Sequence, residues 1–88
     1  MAAHPMTTSE AIQWIAALFE EPADRLSAAT RRDDVPAWDS LGVLTLMAGL
    51  DERFDLRLSP EEIGALQSVG AILKILADRH CLTDPTAH

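Results

Sequence analysis

The chain has 88 residues, 48% of them hydrophobic and 24% charged, and its formal net charge is −7. That length supports one domain with one small core, because a chain of this size buries only about 60–65% of its unfolded surface. A surface this acidic repels phosphate backbones and anionic lipid, which sets nucleic acid and membrane surfaces aside and favours partner proteins with basic patches.

No apolar run approaches the roughly 20 residues of a membrane span. The opening MAAHPMTTSE has neither the basic nor the apolar region of a secretory signal. Cys81 is the only cysteine, so no intramolecular disulfide can form, and a reducing cytoplasm is the expected compartment. His4, His80 and His88 lack metal-ligand spacing, and adjacent residues such as His80 and Cys81 diverge on a helix, so no metal site is expected.

Thr7 and Glu10 form a capping-box pattern in front of AIQWIAALFE, where Ile12, Ile15, Ala16 and Phe19 recur on one helical face. Trp14 lies off that stripe and is expected at the margin of the core; Pro22 is expected to close the helix. From Glu21 to Trp38 no period is sustained, and unstructured loops beyond about 12–15 residues are uncommon in compact domains. Leu26, Val35 and Trp38 are candidates to pin this loop to the core, and RLSAA to add a helical turn. The RRDD run over 31–34 reads as a solvated charge cluster.

A second helix is predicted from Ser40 to Phe54, roughly 22 Å at 1.5 Å per residue. In LSPEEIGAL, Ser59 is a favoured N-cap, Pro60 takes the first helical position and Glu62 stands three residues past the cap, which predicts a short third helix. Ser68 can cap the last helix, in which Val69, Ile72, Leu73 and Leu76 form an apolar stripe opposite Lys74 and Asp78. No segment shows strand alternation or a hairpin turn. The expected fold is all-α: a small four-helix bundle of three main helices and one short one, with a long loop after the first. The packed region should cover about 7–80, with short flexible tails. The Met1 start and those short tails favour a chain that works alone.

The second helix has two apolar faces. Val43, Leu46, Met47, Leu50 and Phe54 fall within about 100°, the width of a core-facing stripe. Leu41, Leu44 and Ala48 form a separate group, with Ser40, Thr45, Asp51 and Glu52 around it. If the first stripe faces the core, the second faces solvent as an apolar patch ringed by polar groups, the pattern of a docking surface; single exposed leucines are also ordinary. Gly42 and Gly49 share one side of the helix, where they either admit a neighbouring backbone or reflect sequence drift.

Three roles are open to Asp39-Ser40. Asp is a favoured N-cap whose charge complements the helix dipole, so the pair can simply start the helix. Nucleophilic catalysis by Ser40 needs a general base held by a third group. No G-x-S-x-G surrounds Ser40, His4 and His88 fall in the tails, and His80 closes the last helix, so no enzyme is expected. Third, Ser40 can be an acceptor modified by another enzyme, since a helix N-terminus favours a phosphodiester.

The third role matches a known family. Asp39-Ser40-Leu41 at the start of the second helix, GLDERFDLRLSPEEI over 49–63 and Ser68-Val69 stand in register with the acyl carrier proteins, which the chain resembles over about residues 10 to 77. The long loop after the first helix is also a family feature. The resemblance implies a four-helix domain whose Ser40 accepts 4′-phosphopantetheine from coenzyme A through a separate Mg²⁺-dependent phosphopantetheinyl transferase. Asp39 and Leu41 belong to that attachment motif. The thiol of the arm, rather than Cys81, would carry acyl or aminoacyl groups as thioesters. Leu41, Leu44, Thr45, Ala48, Asp51 and Glu52 would meet the partners: a loading ligase or acyltransferase, and a ketosynthase or other acyl-processing enzymes. The carrier itself would be a monomer.

Two departures distinguish the chain. Housekeeping fatty-acid carriers usually place acidic residues soon after the serine, where this chain has Gly42 and Thr45, and a small Gly or Ala before D-S-L, where it has Trp38. W-D-S-L resembles freestanding carriers of specialised pathways, polyketide, fatty-acid-like or peptide ones among them. The alternative is an unmodified, carrier-like interaction module that docks through the same face.

Overall fold

The computed structural model describes residues 6–83, in four helices: α1 (Thr8–Leu18), α2 (Ser40–Phe54), α3 (Pro60–Gly64) and α4 (Val69–Asp78). Among these residues there is no strand, only isolated bridges between Met6 and Leu82 and between Arg31 and Ser68. The fold is a small all-α bundle in which α1 packs against both α2 and α4.

Each helix starts where a short polar side chain satisfies its first free amides. Thr7 Oγ1 accepts from Glu10 N at 3.0 Å while Glu10 Oε1 accepts from Thr7 N at 2.9 Å, completing the box on α1. Ser59 and Glu62 repeat that reciprocal pair on α3, with Pro60 at the first helical position. Ser68 accepts from Ala71 N at 3.0 Å on α4.

The ends differ from the simplest expectation. α1 stops before Pro22, because Glu20 turns left-handed at φ 55° and Glu21 N donates back to Ala16 O at 2.9 Å. α4 stops the same way, with His80 at φ 62° and Cys81 N donating to Leu76 O at 2.7 Å. These 6→1 bonds are the Schellman closure, made here without its usual glycine.

The core runs through all four helices and the loop. Ile15, Phe19, Leu46, Leu50, Val69, Ile72 and Leu76 are its largest fully buried side chains. Ala11 joins them, while Ile12 is only partly buried. Trp14 sits at the margin, edge-on to Phe54 with ring centroids 5.2 Å apart. Leu56 and Leu58, alternating with exposed Asp55 and Arg57, bury the extended segment after α2. Met6 and Leu82 are also buried, so packing reaches past 7–80 at both ends; what was expected of the tails beyond them, His4 and His88 included, lies outside the described residues.

Residues 19–39 form the long loop, and Leu26, Val35 and Trp38 do pin it to the core. Its helical turns are short 3₁₀ turns at Ala23–Arg25 and Arg32–Asp34, not at RLSAA. The charge run is structured rather than merely solvated. Asp34 Oδ2 accepts from Arg31 N at 3.0 Å, and half-buried Arg32 donates from Nε to the Trp38 carbonyl at 2.9 Å. The loop also bonds the start of α4: Val69 N donates to Thr30 O at 2.8 Å, Gly70 N to Ala28 O at 2.9 Å, and Arg32 N to Gln67 O at 2.8 Å.

Arg79 at the end of α4 reaches Glu62 of α3 at 3.1 Å. The Glu62 carboxyl is held below its ordinary value first by the Ser59 backbone N–H, against an opposing push from burial, with the Ser59 side chain and Arg79 adding to the lowering. A lowered folded-state pKa stabilises the fold above the unfolded value, and that contribution is lost as pH falls through the folded value. Glu62→Gln is therefore expected to have a lower urea midpoint than the parent at neutral pH. The gap should close as pH drops below the ordinary carboxylate range, a trend read from paired urea titrations.

Candidate functional site

The start of α2 is fixed from both sides. Upstream, Trp38 is buried and stacks on Phe19 of α1, with centroids 4.9 Å apart and planes 19° from parallel. Downstream, buried Gly42 lies against the Ala37 carbonyl; a Cβ there would fall inside the van der Waals envelope of that oxygen. Gly42 thus admits a neighbouring backbone, whereas Gly49 admits side chains, its Cβ position standing 3.2 Å from those of Leu18 and Trp14.

Between these anchors Asp39 caps the helix: Oδ1 accepts from Gly42 N at 3.0 Å and its carbonyl accepts from Val43 N at 2.9 Å. Ser40 is the first residue of the helix and is exposed. The N–H groups of Ser40 and Leu41 donate to no acceptor among the described residues. By contrast, the first N–H groups of α4 are all engaged, by Thr30, Ala28 and Ser68. The exposed hydroxyl therefore stands beside two free donors at the positive end of a fifteen-residue helix.

The second apolar face of α2 is exposed as expected. Leu41 and Leu44 are 71% and 61% accessible, while Ala48, Asp51 and Glu52 are also exposed. Thr45 is half-buried and donates its hydroxyl to Leu41 O at 3.1 Å. Asp51 is paired with Arg57 at 3.3 Å, so of the two acidic residues Glu52 presents the less countered charge.

One part of the inner stripe does not reach the core. Leu46, Leu50 and Phe54 are buried, but Val43 and Met47 are only partly covered where the five-residue α3 leaves a cleft beside them. Val43 and Met47 line an open cleft of about 420 Å³ with Ser40, Leu44, Pro60, Ile63, Gly64 and Arg32. The two faces of α2 thus meet at this cleft, through Leu44, beside the serine.

Arg32 is the residue that composition and spacing did not bring forward. It lies between like and opposite charges in RRDD, with nothing local to mark it, yet it is the one charged side chain lining the cleft. Cys81 lies elsewhere, after α4, and burial pushes its thiol up, with Arg79 partly opposing, so the thiolate is scarce at neutral pH. No helix among the described residues is long and apolar enough to cross a membrane. No family model matches the chain, and neither a curated protein nor a solved structure matches it.

Proposed function

We propose that the chain is a carrier, whose Ser40 holds a 4′-phosphopantetheine arm and passes acyl or aminoacyl thioesters between partner enzymes. The observation that carries this reading is the placement of Ser40. It is an exposed hydroxyl on an immobilised helix start, with two unengaged backbone N–H groups beside it and an apolar patch one turn away. Those N–H groups and the helix dipole favour the negative charge of a phosphodiester. Transfer forms the Ser40 Oγ–P bond as the P–O bond to the adenosine bisphosphate of coenzyme A breaks, with the serine proton leaving to a base of the transferase.

The chemistry then belongs to the partners, and the tether raises the cargo's effective concentration at each docked site. Leu41, Leu44 and Ala48 provide the docking face, with Glu52 and the Arg57-paired Asp51 at its edge. Partners of this kind are a phosphopantetheinyl transferase, a loading ligase or acyltransferase, and a ketosynthase or comparable enzyme, in the cytoplasm. Trp38 and the absence of acidic residues soon after Ser40 favour a specialised pathway over housekeeping fatty-acid synthesis.

Incubation with coenzyme A and a broad-specificity phosphopantetheinyl transferase is expected to add one phosphopantetheine to the intact mass, and Ser40→Ala to abolish the gain. Leu44→Asp should leave the fold intact and weaken association with the transferase. Absence of a mass gain, or a gain that survives Ser40→Ala, overturns the carrier reading. Partner binding that ignores Ser40→Ala but is lost in Leu44→Asp would identify the unmodified interaction module instead.

A further inference from the structure

We infer that Arg32 is a second binding residue for the arm: its guanidinium pairs with the phosphodiester on Ser40. The inference rests on the carrier reading and goes beyond it, since nothing in the D-S-L motif calls for a cation from the preceding loop.

Three observations converge on this residue. First, in a chain of net charge −7, Arg32 is the one charged side chain lining the cleft that Ser40 also lines. Second, its position is set. Its main-chain N–H donates to Gln67 O at 2.8 Å, and its Nε donates to the carbonyl of Trp38, two residues before the serine, at 2.9 Å. Trp38 is itself held by its stack on Phe19. Third, that single Nε bond leaves both Nη groups without an acceptor among the described residues. Of the nearby acids, Asp34 accepts from Arg31 N and Asp39 from Gly42 N, while the adjacent, exposed Asp33 forms no ion pair with Arg32.

The free N–H groups of this guanidinium, at an open cleft and outside any ion pair, are available to an anion bound beside them. A phosphate offers oxygens in the geometry that the fork of Arg binds, whereas Lys binds it only as a point charge. Pairing at Arg32 would hold the first atoms of the arm toward the mouth of the cleft, so that the thiol end starts from the Val43, Leu44 and Met47 side of α2.

The test is a four-cornered cycle of apo and holo protein, each with Arg32 or Arg32→Gln, unfolded in urea at low salt. A structural role in bonding Trp38 lowers apo and holo stability equally, so only pairing with the arm leaves a residual. The expected residual is about 2–5-fold in the unfolding equilibrium constant, in the range of a partly exposed ion pair. It should shrink at high salt, and Arg32→Lys should retain part of it. If Arg32→Gln does not fold, the parent protein supplies the answer by NMR. On conversion to holo, the Arg32 Nε–Hε resonance should shift more than that of Arg57, and the ³¹P resonance should respond to added NaCl. Mass gain at Ser40 with a closed cycle, or with an unmoved Arg32 resonance, overturns the role of Arg32 alone. No mass gain at Ser40 overturns the carrier reading and this pairing together.

Discussion

Gly42→Ala is expected to destabilise the domain by about 3 kcal/mol, although helix propensity alone predicts a gain of about 1 kcal/mol. The opposing effect is steric. An added Cβ would overlap the Ala37 carbonyl oxygen and stand 3.0 Å from its carbon, and a backbone carbonyl cannot rotate away as a flexible side chain would. Either α2 shifts outward or residues 37–39 do, and both movements displace Ser40. If Ser40 is the proposed attachment point, phosphopantetheine transfer should therefore slow along with the loss of stability. Gly64→Ala provides the control: nothing lies within 4 Å of its Cβ position, so a gain of about 0.4–1 kcal/mol is expected from the stiffer unfolded chain. Urea midpoints for the two variants that move in the same direction would show that Gly42 is not a contact glycine.

Trp38→Ala should cost about 3–5 kcal/mol, the usual range for emptying a large aromatic site. Trp38 is 3% exposed and stacked on Phe19, so its removal also leaves a second buried ring without its partner. Total stability at about 0.05–0.15 kcal/mol per residue is only about 4–13 kcal/mol for a chain this long. The variant should thus be marginal at 25 °C, with a midpoint shift in urea and a loss of near-ultraviolet dichroism to show it. The start of the site is built around the indole, which stacks on Phe19, while the main-chain carbonyl of the same residue accepts from Arg32 Nε.

Those two residues mark the limit of what could be read from the letters. The starts of all four helices were legible because a cap and the amide it serves lie three residues apart, as at Thr7, Asp39, Ser59 and Ser68. The exposed Leu41 and Leu44 were legible because helical period separates them from Leu46 and Leu50. Trp38 was legible as a pin for the loop but not as the anchor of the serine's helix, because its partner Phe19 lies at the end of α1 and no local pattern joins them. Gly42 stayed ambiguous for the same reason: the atom that requires it is a carbonyl, which every residue has. Val43 and Met47 have the period of core residues, and their partial exposure depends on the cleft beside α3, which no period reveals. Arg32 was hidden by its neighbours, since a run of two basic and two acidic residues looks solvated until the backbone around it is placed.

The bonds between the long loop and α4 bear on how the domain opens and closes. Loops ordinarily belong to the low-stability end of a structure and open without disturbing the helices around them. This one provides the acceptors, at Ala28 and Thr30, for the first two N–H groups of α4. Lifting it away strands those donors and withdraws Leu26, Val35 and Trp38 from the core at the same time. Residues 26–38 and the start of α4 are therefore expected to open as one cooperative unit, since the α4 start is fully satisfied only when distant parts of the chain have met. For an all-helical domain that makes closure unusually non-local, and such closure slows folding relative to a bundle held by local contacts.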